Sequence, residues 1–201
     1  MEDRTREEIQ QEYNEIYRKN PNKWPSTEKV EFMYEMLDPY APTPNNILDF
    51  GCGTGVALDW YHKKNPFANP YGIDISEEAI KLAQAKVPDA RFTTKNEFED
   101  IKTFDLIWCL GTAEHMYHLQ DFLIDMKSRL TYDGLFYLEV PNCLDYSKGP
   151  EAFRRTKIGS HQVEWHLKRN TWERHILKAG FIIVKSIKGK KAPWEFIWIL
   201  S

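Results

Sequence analysis

The sequence predicts an α/β fold: a mostly parallel sheet of seven strands, helices on both faces, and an antiparallel hairpin strand at the C-terminal end. Three observations predict it. From residue 46 onward, short apolar runs alternate with helical patterns, the arrangement that builds parallel sheets through crossover helices. The first apolar run, Ile47-Leu48-Asp49-Phe50, feeds a glycine-rich bend, Gly51-Cys52-Gly53-Thr54-Gly55, and then a helix. The last two apolar runs flank Lys188-Gly189-Lys190-Lys191-Ala192-Pro193, whose composition suits a chain reversal.

Residues 3–19 read as a polar helix with Ile9, Tyr13, Ile16 and Tyr17 along one side. Pro21 and Pro25 break it. Ser26 or Thr27 caps a second helix carrying Val30, Met33, Tyr34 and Leu37 at helical spacing. Pro39, Pro42 and Pro44 then mark a boundary, so residues 1–44 form a helical cap and 45–201 the main domain. Ile47–Phe50 is a buried strand, Val56–Lys64 a helix and Tyr71–Ile75 a second strand. Ser76 caps the next helix, whose first turn holds Glu77 and Glu78, where the helix dipole favours carboxylates. Ala90–Thr93 is a third strand and Phe104–Leu110 a fourth, followed by a helix from Ala113 to Leu130. Leu135–Val140 is the fifth strand, and residues 142–170 carry no regular pattern. Asn170 or Thr171 caps a helix that Gly180 ends, and Phe181–Ile187 and Glu195–Leu200 are the closing strands.

Composition narrows the function classes. The 201 residues fit one domain, with 42% hydrophobic and 28% charged residues, which excludes disordered, collagen-like and disulfide-framework chains. A balance of 27 basic against 30 acidic residues excludes a general nucleic-acid binder, although residues 145–193 are locally basic. Cys52, Cys109 and Cys143 form no C-x-x-C pair, so they read as reduced thiols of a cytoplasmic protein. The charged start Met1-Glu2-Asp3-Arg4 has no apolar signal region, and no apolar run approaches the ~20 residues of a membrane span.

The bend after the first strand carries the chemistry. Glycines allow positive φ and let a ligand approach the backbone. The dinucleotide fingerprint wants a third glycine where Val56 stands, and no Gly-Lys-Ser/Thr follows to make a P-loop. Asp49, at the strand end before the glycines, repels a pyrophosphate and welcomes a cation. Asp74 lies 23 residues past Gly51, at the end of the next strand, where an acid can accept hydrogen bonds from both hydroxyls of a ribose.

With these residues the chain resembles the class I S-adenosylmethionine-dependent methyltransferases, with a Rossmann-like fold, from about residue 46 to residue 200. The resemblance implies S-adenosyl-L-methionine as cofactor. It places Asp49, Gly51, Cys52, Gly53, Thr54 and Gly55 around the methionine part and Asp74 and Ile75 at the ribose, with Leu110 at the end of the fourth strand. Many members have a Gly-Asp pair after the third strand; here Thr94-Lys95-Asn96-Glu97 stands there, and either Asn96 or Glu97 meets the adenine. Glu114-His115 matches a pair common in the small-molecule branch, as Trp165-His166-Leu167 through Ala179-Gly180-Phe181 resembles that branch's late helix and strand.

The implied reaction is an in-line attack on a sulfonium methyl by a small-molecule acceptor, expected at oxygen; a hydroxyl nucleophile needs a general base, a free amine much less. His115 is the base candidate, with Glu114 orienting it; the alternative for His115 is a residue that only shapes the cofactor pocket. No metal is expected, because Gly111 stands where related magnesium enzymes carry a glutamate. His161 and His166 read as surface or structural histidines. Tyr13, Tyr17 and Trp24 are either a lid facing the sulfonium or plain helix contacts, and Trp194 and Trp198 are packing residues. Lys148, Arg154, Arg155, Lys157, Lys168 and Arg169 are either a recognition patch for an anionic small-molecule acceptor or a solvated face. The alternatives to a small-molecule enzyme are a methyltransferase of RNA or protein and a non-catalytic cofactor-binding module.

Overall fold

The structure is a computed structural model that describes residues 5–21, 26–41, 43–96, 98–142, 152–155, 163–187 and 195–201, with backbone only at 152–155, 163, 164 and 166. Glu97, Trp24, His161, Trp194, Lys148 and Lys157 lie outside the described residues, as do the side chains of Arg154, Arg155 and His166. The chain divides into two units, Met1–Leu106 and Ile107–Ser201.

In the first unit, α1 (Arg6–Lys19) starts at a capping box in which Thr5 accepts from the Glu8 amide and Glu8 accepts from the Thr5 amide at 2.8 Å. Ser26 caps α2 (Thr27–Leu37), which buries Val30, Met33 and Leu37. These pack with α3 (Val56–Lys64), where Tyr34 meets Trp60 and Tyr61 edge-on at 5.0 and 5.7 Å between ring centroids. Strand β1 (Asn46–Phe50) pairs in parallel with β2 (Asn69–Ile73), which pairs in parallel with β3 (Arg91–Thr93). Between the last two runs α4 (Glu77–Lys86), capped by Ser76.

Strand β4 (Phe104–Leu110) carries the unit boundary. In the second unit a short 3-10 turn (Ala113–His115) precedes α5 (Leu119–Ser128) and β5 (Leu130–Pro141). A two-stranded antiparallel hairpin follows, β6 (Ala152–Arg155) with β7 (Val163–His166). Then come α6 (Arg169–Lys178), β8 (Ile183–Ile187) and β9 (Glu195–Leu200). The main sheet has seven strands in the order β3-β2-β1-β4-β5-β9-β8, and β9 runs antiparallel to both of its neighbours. The core of this unit includes Trp172 and Trp198, whose centroids lie 6.5 Å apart, with the Arg169 guanidinium 5.0 Å above Trp198.

Several sequence expectations need correction. The helix expected over 113–130 is broken at Met116, whose backbone is extended, so His115 sits on a turn. Residues 131–134 belong to β5, which starts at Leu130 and leaves Tyr132 fully exposed. The segment 142–170 contains the β6–β7 hairpin. Lys168, without a side-chain cap bond, is the N-cap of α6 in place of Asn170 or Thr171. Strand β2 ends at Ile73, and β8 begins at Ile183.

Gly72 on β2 has no room for a side chain. A Cβ there would stand 2.5 Å from the Phe92 ring and 2.9 Å from the Cys52 sulfur. Gly72→Ala is expected to lower unfolding free energy by about 1–3 kcal/mol, the range for overpacking; a urea midpoint at the wild-type position would contradict this.

Candidate active site

The glycine bend is built on a set of backbone bonds. The amides of Gly51 and Cys52 both donate to the Ile73 carbonyl, at 2.7 and 2.9 Å, so the bend after β1 is fixed to the end of β2. The Gly55 amide closes it on the Cys52 carbonyl at 2.9 Å. Gly51, Gly53 and Gly55 all have positive φ, at 82°, 51° and 73°, the left-handed region that side chains resist. Gly55 leads directly into α3 and sits so close to Ala83 that a Cβ would lie 3.1 Å from the alanine methyl. Gly55 thus lets the start of α3 approach α4 closely.

Two carboxylates are buried at the bend, Asp49 at 2% and Asp74 at 7% exposure. Asp74 accepts from the Gly53 amide through Oδ2 and from the Ser76 amide through Oδ1, each at 2.8 Å. Burial raises its pKa from the ordinary 3.8 to about 6, and those two amides hold it from rising further. Burial, then Asp74, then Asp49 also push the Cys52 thiol up. The Tyr17 phenol is pushed far up as well, by burial first and by Asp74 next. Two buried carboxylates make this region of low dielectric favourable for a cation.

Helix α1 lies across this region. Arg6 donates to the Thr94 carbonyl, Gln10 to the Ile75 carbonyl at 2.9 Å, and Asn14 accepts from the Ser76 hydroxyl at 2.7 Å and the Glu78 amide at 3.2 Å. Arg18 pairs with Glu78 at 3.2 Å. These residues recur every four positions, so they share one face of the helix. Tyr17, from the same face, reaches the glycine bend: a Cβ on Gly53 would lie 2.8 Å from its hydroxyl oxygen. Sequence reading found Tyr17 but missed Arg6, Gln10 and Asn14. Their four-residue spacing is visible; their backbone-carbonyl partners are not. Ile75 enters through its carbonyl, and Asn96 is exposed on the bend after β3.

At the end of β4, in the second unit, Leu110 is half-buried and Gly111 turns the chain with φ 61°. The Gly111 amide donates to the Glu139 carbonyl at 2.9 Å. Glu114 is buried at 2% exposure, and its Oε1 stands 3.9 Å from Nε2 of His115. His115 is more open, with 18% of its side chain exposed. Sequence reading did not single out Glu139, which is fully buried on β5. Among the described residues, no three His, Cys, Asp or Glu side chains group as a metal site, and no helix is long and apolar enough to cross a membrane.

A Rossmann-like sheet with a glycine bend after β1 and an acid after β2 defines the class of the chain: a nucleotide-type α/β protein. The chain belongs to the methyltransferase-domain family, whose profile matches residues 19–185. Over 124 residues it is 32% identical to trans-aconitate 2-methyltransferase of Pseudomonas aeruginosa, covering 56% of this chain and 42% of that protein. Over 140 residues it is 27% identical to the mitochondrial ubiquinone biosynthesis O-methyltransferase of Candida albicans, covering 62% and 42%. The matched stretch is thus less than half the length of either relative. Among solved structures it is similar to 1,6-didemethyltoxoflavin-N1-methyltransferase of Burkholderia thailandensis, determined with 1,6-didemethyltoxoflavin and S-adenosylhomocysteine. That match has a TM-score of 0.76 and 17% identity over 100% of this chain and 91% of that one. The fold is that of class I S-adenosylmethionine-dependent methyltransferases.

The residues at the bend fit such a nucleoside. The Thr54 hydroxyl is buried with no hydrogen-bond partner in the protein, a costly state that a polar ligand atom relieves. Each oxygen of Asp74 accepts one backbone amide and keeps a lone pair for a ribose hydroxyl.

Thr54→Val is therefore expected to leave unfolding free energy unchanged or raised while weakening S-adenosylhomocysteine binding several-fold; equal calorimetric affinity would remove Thr54 from the site. Asp74→Ala is expected to weaken that binding tenfold or more, on the order of the 1.5–3 kcal/mol of a charge-assisted bond. The raised pKa also fixes a pH dependence. Folded Asp74 holds its proton more tightly than the unfolded chain does. Without ligand, its contribution of about 3 kcal/mol is fully present below pH ~4 and lost as pH rises through about 6. Binding through the ionised carboxylate runs the other way, and affinity falls as pH drops below about 6. In Asp74→Asn both slopes between pH 4 and 6 should flatten, as read by calorimetry and chemical denaturation.

Proposed function

We propose that the protein is an S-adenosylmethionine-dependent methyltransferase that moves a methyl group to a hydroxyl oxygen of a small, anionic acceptor. The observation that supports the oxygen assignment is Glu114 beside His115: a buried carboxylate oxygen 3.9 Å from the ring nitrogen, beyond hydrogen-bond reach, favours the protonated imidazole that a general base becomes. A hydroxyl nucleophile needs such a base, and a free amine needs it far less. The basic character of residues 145–193 and the relative named for trans-aconitate support an anionic acceptor.

When bound, S-adenosylmethionine supplies a methyl group on a positively charged sulfur. Asp74 holds the ribose hydroxyls, the glycine backbone lets the amino-acid end approach, and Thr54 meets one of its polar atoms. Asp49 sets a negative potential for the cationic centre. Residues 1–44 act as a cover, with Tyr17 and the polar face of α1 excluding water from the bend. His115 takes the acceptor's hydroxyl proton, and Glu114 stabilises the imidazolium that forms.

His115→Ala is expected to lower kcat by 10²–10⁴-fold, the usual share of a positioned base, with cofactor affinity preserved. The assay follows S-adenosylhomocysteine formation across hydroxy-acid, phenol and amine acceptors, trans-aconitate included. Turnover confined to amines, or a His115→Ala enzyme with wild-type kcat on a hydroxyl acceptor, overturns the assignment. Cofactor binding with no turnover of any acceptor points to a non-catalytic module.

A further inference from the structure

Glu114 and His115 stand on a turn that cannot hold itself. It has three residues, and its N-cap, Thr112, makes no side-chain cap bond. Within it, the His115 amide donates to the Thr112 carbonyl at 3.0 Å and the Met116 amide to the Ala113 carbonyl at 3.2 Å. A 3-10 turn this short is a weak element with poor bond geometry. Its start is tied to the sheet by the Gly111 amide on the Glu139 carbonyl. Its end is tied elsewhere: the indole N–H of Trp165, on β7, donates to the Met116 carbonyl at 2.8 Å. That bond crosses 49 residues of sequence. It sits at the break in the expected helix. An uninterrupted helix would give the Met116 carbonyl to the Gln120 amide; instead α5 restarts at His118, whose carbonyl accepts from Phe122 at 3.0 Å.

We propose that Trp165 is a positioning residue for the catalytic base: its N–H pins the turn that carries Glu114 and His115 and so couples their geometry to the β6–β7 hairpin. The inference rests on the reading of His115 as the base. Indole offers one donor and no acceptor, so the bond has a fixed direction. Loss of that donor leaves the partly buried Met116 carbonyl without its protein partner and frees the turn at one end. The hairpin, lying between β5 and α6 in sequence, then acts on the base from outside the sheet.

The test uses the full chain and the variant Trp165→Phe, which keeps an aromatic ring and removes the donor. Amide hydrogen exchange is read by nuclear magnetic resonance, together with the pH titration of the His115 ring protons. The expected result is exchange on the order of tenfold faster at the His115 and Met116 amides, as loss of one hydrogen bond implies. The His115 titration midpoint moves from its wild-type value. Protection at Leu138 of β5 and Ile176 of α6, and the affinity for S-adenosylhomocysteine, remain at wild-type values. Unchanged exchange at His115 and Met116 overturns the proposal, and so does a loss of protection spread evenly through β5 and α6. Should Trp165→Phe not fold, the same measurements apply with benzothienylalanine at position 165, which matches tryptophan in shape but carries sulfur in place of the N–H. The two readings fail separately: a wild-type kcat in His115→Ala removes the base, whereas unchanged exchange removes the pin.

Discussion

One carboxylate organises the cofactor side of this protein. Asp74 joins the middle of the glycine bend, through the Gly53 amide, to the first residues before α4, through the Ser76 amide. Ser76 in turn caps α4 and donates its hydroxyl to Asn14 of α1. The glycine bend therefore meets the Asp74 carboxylate directly, and α1 is joined to it one step removed, through Ser76. Burial of that group is unfavourable, and its raised pKa is the record of the cost. The two amides offset part of it. The rest persists as a negative potential beside the bend, which a cationic nucleoside relieves. Stability and binding are in opposition here, as they commonly are at functional sites.

The N-terminal helix extends the same logic. Its bonds to the Ile75 and Thr94 carbonyls engage the loops after β2 and β3, at the carboxyl ends of the strands where ligands bind in open α/β sheets. A helix of 14 residues with a mostly polar surface has little apolar area to hold it in place. Directional side-chain bonds to backbone, each worth about 0.5–1.5 kcal/mol net, supply what burial does not. An element fastened this way opens at modest cost and closes in one register.

Much of this architecture was legible from the residues. The helix Val56–Lys64 and the strands Phe104–Leu110 and Glu195–Leu200 follow from local patterning and have the expected bounds. Asp49, the glycines and Asp74 could be picked out because they belong to a strand–turn–helix, which is local, and the structure brings them together at one bend. The failures share a cause. The helix expected through Met116 stops where the Met116 carbonyl accepts from an indole 49 residues away, a partner that no local pattern announces. The β6–β7 hairpin is a pairing of two four-residue strands with no shared local signal. The bonds of Arg6 and Gln10 end on carbonyl oxygens, which every residue possesses, so no partner residue type marks them. Lys168 at the start of α6 lacks the short polar side chain that usually announces a cap.

The span between Arg6 and Thr94, 88 residues, has a consequence for how the chain is made. During synthesis α1 leaves the ribosome long before β3 exists. Alone in water, a helix of this length is at best marginally formed. Its bond to the Thr94 carbonyl has to await the completion of β3, so full docking of α1 is among the last steps by which its half settles. A nascent chain paused before residue 94 still lacks the carbonyl on which Arg6 ends.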